Sequence, residues 1–118
     1  MVLNNYAYFL SLEGRDLEKA LTMSSRAIAL TDNNPTYLDT HAWVLFKLGR
    51  TAEAKKVMQQ AIALDGQESA ALLVHYGDIL HAMGEQFMAE IYWRKGLEKG
   101  YDADQITRRM EQGKAEKE

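Results

Sequence analysis

The sequence predicts an all-α fold of three antiparallel helix-turn-helix repeats closed by a seventh helix. Three observations predict it. Ala27-Ile28-Ala29-Leu30 recurs as Ala61-Ile62-Ala63-Leu64, 34 residues on, and a weaker third copy reads Gly96-Leu97-Glu98-Lys99. Small residues fall at matching places: Ala7, Ala20 and Ala27; Ala42, Ala54 and Ala61; Gly77, Ala89 and Gly96. No run alternates apolar and polar residues with period two, and a single proline in 118 residues suits helices. A period of roughly 20–50 residues marks stacked supersecondary units, none able to bury its apolar face alone.

Capping and turn residues delimit the helices in order. The first runs from about Val2 to Glu13 with Leu3, Tyr6, Ala7 and Leu10 on one face, and stops at Gly14. Asp16 is placed to cap the second, which runs to about Leu30. After the loop Thr31-Asp32-Asn33-Asn34, Pro35 opens the third, which turns Leu38, Ala42, Leu45 and Leu48 inward and ends at Gly49. Thr51 is read as the cap of the fourth, with Ala54, Val57, Met58, Ala61 and Leu64 apolar, and Asp65-Gly66 breaks it. Ser69 begins the fifth, with Leu72, Leu73, Tyr76, Gly77 and Leu80 apolar, and Gly84 ends it. The sixth runs from about Glu85 to Lys99 with Ala89, Tyr92, Trp93 and Leu97, and Gly100 stops it. Asp102 and Gln105 form a capping box for the seventh, whose apolar stripe is Ile106 and Met110, with Arg108, Arg109 and Glu111 outward. From Gly113 to Glu118 the chain is polar and reads as a frayed tail.

Composition narrows the function. With 17 acidic and 14 basic side chains the net charge is -3, too mild to recruit nucleic acid or a membrane surface. The basic residues form no stripe. No cysteine is present, which excludes disulfide and thiolate chemistry and suits the cytoplasm and a bacterial periplasm equally. No segment nears the roughly 18 apolar residues of a membrane span. A chain of this length buries roughly two thirds of its unfolded surface, enough for a real core.

The period, the helix-turn-helix unit and the small-residue positions together resemble the tetratricopeptide repeat. The second repeat matches through Leu38, Ala42, Leu45, Gly49, Ala54, Met58 and Ala61. The third matches through Leu73, Tyr76, Gly77, Leu80, Gly84, Ala89, Trp93 and Gly96, and the first through Leu3, Ala7, Leu10, Gly14, Ala20 and Ala27. The proline the family places after each second helix is replaced by Gly66 and Tyr101 after the second and third repeats. The resemblance implies a right-handed α-solenoid forming one domain over 1–113. Its repeats span about 1–34, 35–68 and 69–101, its capping helix about 102–113, and residues 114–118 form a polar tail.

The resemblance further implies a protein-protein interaction scaffold in which the first helix of each unit lines a concave groove for a peptide or protein surface. By position that groove takes Asn4, Tyr8 and Ser11 from the first repeat, Asp39, Trp43, Phe46 and Lys47 from the second, and Val74, Asp78 and His81 from the third. Tyr8, Trp43 and Phe46 are candidates for an aromatic platform, since aromatics bury much area at little entropic cost. The alternative is that Trp43 and Phe46 pack between neighbouring first helices. Asp39 and Asp78 are either solvated carboxylates or give the groove a mild preference for a basic segment. One variant of the family grips a C-terminal carboxylate with Lys, Asn and Arg. Its positions here hold Asn4, Tyr8, Thr40, Ala71 and His75, none of them basic enough for that role.

Catalysis and metal binding find no support in the sequence. His41 falls at a packing position inside a helix pair. His75 and His81 point about 120° apart on their helix, too divergent for one ion. Asp78 and His81 could share an ion only with outside ligands. No serine or threonine has a base and an orienting partner, and no glycine-rich phosphate loop follows a strand. The expectation is therefore a non-enzyme without cofactor or metal. The first turn, Met1-Val2-Leu3, is apolar and uncapped, so the chain is expected to continue a longer array or to meet a partner or second copy through its N-terminal helix. The second functional reading follows from this: a structural or self-association segment with no peptide ligand of its own.

Overall fold

The computed structural model describes residues 2–31, 33–64 and 68–117, with side chains at 4–31, 33–64 and 68–113. Among them are seven helices and no strand: α1 Val2–Glu13, α2 Leu17–Thr31, α3 Pro35–Lys47, α4 Thr51–Ala63, α5 Ala70–Ala82, α6 Gln86–Glu98 and α7 Ala103–Lys117. This is an all-α helical-repeat fold. The chain divides into two compact units, 1–66 and 67–118. The expected Asp65-Gly66 break, Asp32 in the loop before Pro35, and the side chain of Leu3 lie outside the described residues.

In the first unit α1 pairs with α2 and α3 with α4, while α1 and α2 both pack on α3. Ala7, Leu10, Ala20 and Val44 form its innermost cluster, with Leu21, Met23 and Leu48 against it. In the second unit α5 pairs with α6, and α7 packs on α6. Leu72, Leu73, Ile79, Leu80, Ala89 and Trp93 fill its core. All seven alanines singled out by spacing are fully buried. They let paired helices approach closely, which larger side chains would prevent.

The turns follow one scheme. At the end of α3, Gly49 takes φ 83°, a conformation that costs glycine little because it has no Cβ. Gly49 N–H donates to the Phe46 carbonyl at 3.0 Å and Arg50 N–H to the Leu45 carbonyl at 2.9 Å, satisfying carbonyls that the helix end leaves open. The same pair of bonds closes the turns after α1, α5 and α6.

This scheme corrects one expected cap. Arg50, not Thr51, is the N-cap of α4, because its amide already closes the preceding turn; it has no side-chain cap bond and instead pairs with Glu53 at 2.8 Å. Asp16 holds the N-cap position of α2 as expected: at φ 49°, its carbonyl accepts from Ala20 N–H at 2.9 Å and so opens the helix. Asn34, expected only as part of a loop, and Ser69, expected only near a helix start, cap α3 and α5 through their side chains. Asp102 caps α7, its carboxylate accepting from the amides of Asp104 and Gln105 at 2.9 and 3.3 Å. The Gln105 side chain accepts from the Tyr101 hydroxyl at 3.4 Å. Finally, α7 does not end at Gly113 but runs on to Lys117. A Cβ on Gly113 would meet the movable end of the Gln86 side chain of α6.

Candidate functional site

In the first unit the candidate face is the row Asp39, Trp43, Phe46 and Lys47 on α3. Spacing of three or four residues places them along one side of the helix. Trp43 and Phe46 have ring centroids 5.1 Å apart, tilted by 43°. Lys47 Nζ lies 5.3 Å from the Trp43 ring centroid, within cation–π range. Trp43 is 8% exposed and Asp39 9%, whereas Phe46 is half-buried and Lys47 exposed. Trp43 is thus the buried base of the cluster, and Phe46 and Lys47 are the parts that meet solvent. From α1, Tyr8 is half-buried. Ser11 is sealed from solvent and its hydroxyl donates to the Tyr8 carbonyl at 2.6 Å. Asn4 is 5% exposed, and its Oδ1 has no hydrogen-bond partner among the described residues.

His41 lies in the same unit. Its Nδ1 is 2.8 Å from Ser24 Oγ, so it ties α3 to α2 and not to its own repeat partner α4. Burial lowers its pKa and the nearby Arg50 guanidinium lowers it further, against a smaller opposing pull from Glu53.

In the second unit the three candidate residues are all engaged. Val74 is fully buried, its side chain packed where Gly96 leaves no Cβ. Asp78 accepts from the Trp93 indole N–H at 2.9 Å and from Arg109 through Nε at 2.7 Å and Nη2 at 3.1 Å. That is a bidentate carboxylate–guanidinium pair, with side chains 16% and 23% exposed. The hydrogen bonds to Asp78 hold the Arg109 pKa above its ordinary value, against the cost of burial. Arg109 also stacks over Tyr101 at 5.6 Å. It was expected to point outward; it points in because the Asp78 carboxylate awaits it. His81 bonds through Nδ1 to Gln86 Oε1, and its ring lies 5.5 Å from that of Trp93.

The acidic face expected from Asp39 and Asp78 is therefore not what the two units present. Asp39 is buried and Asp78 is paired, while Lys47 is the exposed charge. Sequence reasoning missed Arg109, Gln86 and the Trp93 indole as partners of these residues. No short-range pattern in the sequence pointed to them.

Among the described residues no group of three or more His, Cys, Asp or Glu side chains could hold a metal ion. No helix among them is long and apolar enough to cross a membrane.

Comparison with known proteins adds the family. Residues 36–68, covering α3, α4 and their turn, match the tetratricopeptide repeat. The chain carries a tetratricopeptide repeat. Solved tetratricopeptide domains share its fold far beyond that segment. The Sgt2 domain from Aspergillus fumigatus superposes with a TM-score of 0.82 at 20% identity, covering 97% of this chain and 76% of that one. The first such domain of human RPAP3 gives 0.82 at 20% identity over 98% of this chain and 92% of its own. The first tetratricopeptide domain of Spaghetti (RPAP3), solved with the HSP90 peptide SRMEEVD, gives 0.82 at 18% identity, covering 97% and 89%. At these identities the likeness establishes the fold. No curated protein sequence matches the chain.

Proposed function

We propose that this chain is a non-enzymatic interaction module that holds a peptide or protein surface against the first helices of its repeats. The observation that carries the reading is the α3 cluster: a half-buried Phe46 and an exposed Lys47 mounted on a buried Trp43. A rigid aromatic base with a cation at its edge suits an extended segment bearing one apolar and one acidic side chain. The Spaghetti domain of the same fold holds a peptide, SRMEEVD, that is itself rich in acids, which supports the class of partner. Capture of a C-terminal carboxylate is not part of the proposal. Asn4, Thr40 and His75, at the positions that would grip it, are 5%, 4% and 6% exposed, and none is a lysine or arginine.

The test is selection from a random peptide library followed by calorimetry. Enriched peptides are expected to pair an apolar residue with an acid. Phe46→Ala and Lys47→Glu are each expected to weaken them about tenfold, near 1.4 kcal/mol. Both side chains reach solvent, so their replacement leaves the core intact. A library yielding no binder, or binders indifferent to both substitutions, refutes the proposal.

A further inference from the structure

Asp78 holds a cation that the chain itself supplies, and the two sides of that contact are not held equally firmly. The receiving side is built into the α5–α6 pair. Gly77, one residue before Asp78, has no Cβ, so the Trp93 ring lies directly against α5. Trp93 is 2% exposed, and its indole N–H donates to Asp78 Oδ1 at 2.9 Å. That bond joins α5 to α6 without α7, so the carboxylate is oriented before any cation reaches it. In the repeat register Asp78 stands 35 residues beyond Trp43, at the same position of a first helix.

The occupying side is held more loosely. Ile106, 3% exposed, is the one buried large apolar side chain among the described residues of α7. A cleft of about 450 Å³ opens between α6 and α7, so the helix is packed on one flank only. Arg109 follows Ile106 at i+3, on the same side of α7. It lays Nε and Nη2 on the Asp78 carboxylate at 2.7 and 3.1 Å, with the Tyr101 ring 5.6 Å from its guanidinium. The fork of Arg109 matches both carboxylate oxygens, which a lysine ammonium would not do. A preformed acceptor on a firm helix pair, filled by one side chain of a polar helix, has the form of a receptor with a tethered ligand.

We propose that Asp78, Trp93 and Tyr101 form an arginine-binding site that α7 fills in cis, and that a partner's helical segment bearing an apolar residue three before an arginine fills it in trans. A short tether gives its ligand an effective concentration of roughly millimolar, so α7 holds the site against weak competitors and yields to a partner that adds contacts. The site is separate from the α3 cluster, and its failure would leave the peptide selection by Phe46 and Lys47 untouched. Fluorescence anisotropy with the full chain tests it, the probe being a labelled peptide of residues 102–113. Arg109→Gln in the protein vacates the carboxylate and is expected to bind the probe about tenfold more tightly than the wild type, the scale of a charge-assisted bond. A probe that itself carries Arg109→Gln is expected to lose that gain, and so is a protein that carries Asp78→Asn as well. A vacated protein that binds the probe no more tightly than the wild type, or a probe indifferent to its own arginine, overturns the proposal. Circular dichroism checks that the variants fold. Should either not fold, the two probes are compared on the wild type at high concentration, where the arginine probe is still expected to bind more tightly; equal binding there overturns the proposal as well.

Discussion

Arg109→Gln is the most informative single change in the second unit. The guanidinium makes both of its carboxylate bonds to Asp78 from a position where the two side chains are only 23% and 16% exposed. Exposed ion pairs are worth about 0–1 kcal/mol, and fully buried pairs cost about 3–5 kcal/mol to break. This pair lies between, and Trp93 still donates one bond to the orphaned carboxylate, so a loss of about 2 kcal/mol is expected. The comparison that matters is with what else holds α7. Ile106 is its one fully buried large apolar side chain among the described residues, and such burial contributes about 1.5–3 kcal/mol. The ion pair therefore rivals the apolar anchor. Since 1.36 kcal/mol is a factor of ten, 2 kcal/mol is about a 30-fold rise in the population with α7 detached. Hydrogen–deuterium exchange by mass spectrometry reads this directly. Amides in 103–117 are expected to exchange about 30-fold faster in Arg109→Gln, with those of α3 and α4 unchanged. Asp78→Asn is expected to act similarly, and the double variant to add little to either. An α7 that exchanges as in the wild type refutes the reasoning.

Two further outcomes follow from packing and from titration. Gly77→Ala places a Cβ against the buried Trp93 ring and 3.1 Å from the Ala89 carbonyl. The overpacking costs about 1–3 kcal/mol, against about 1 kcal/mol gained in helix propensity; a lower urea midpoint is expected, and a higher one contradicts the account of the α5–α6 contact. His41 has a folded pKa below its ordinary 6.5. The unfolded chain therefore takes up the proton more readily, so the stability tied to neutral His41 is whole above about pH 6.5 and declines as the pH falls toward the folded pKa. The melting temperature of the wild type should fall more between pH 7.5 and 5.5 than that of His41→Gln, and equal falls by calorimetry would remove His41 from the explanation.

What the sequence showed and what it concealed divide by range. Helix starts and stops rest on bonds spanning a few residues, so the helix start at Ser69, the Asp102 cap and the turn glycines were legible. Arg50 shows the limit of that reading. It belongs to two motifs at once, a turn and a helix start, and the turn decides its backbone. The alanine positions were legible because burial of a close helix contact repeats with the unit. The candidate binding row was legible as a row, since helical spacing fixes which residues share a side. Which of its members reach solvent was not, because that depends on partners far along the chain. Asp78 and Arg109 are 31 residues apart, and nothing near either names the other. Arg109 in a polar helix looks like any solvated arginine until the carboxylate beside it is seen.

The turn built around Gly49 has a consequence for how the chain reaches its structure. Its two backbone bonds span only Leu45 to Arg50, and the helices it joins meet through residues near in sequence. Little chain entropy is lost in bringing such neighbours together, and topologies dominated by local contacts fold quickly. Because the scheme recurs after α1, α5 and α6, assembly has several equivalent starting points. The first hairpin to form then gives the next one a surface to grow on, so the order of events along the chain is free to differ from one molecule to another.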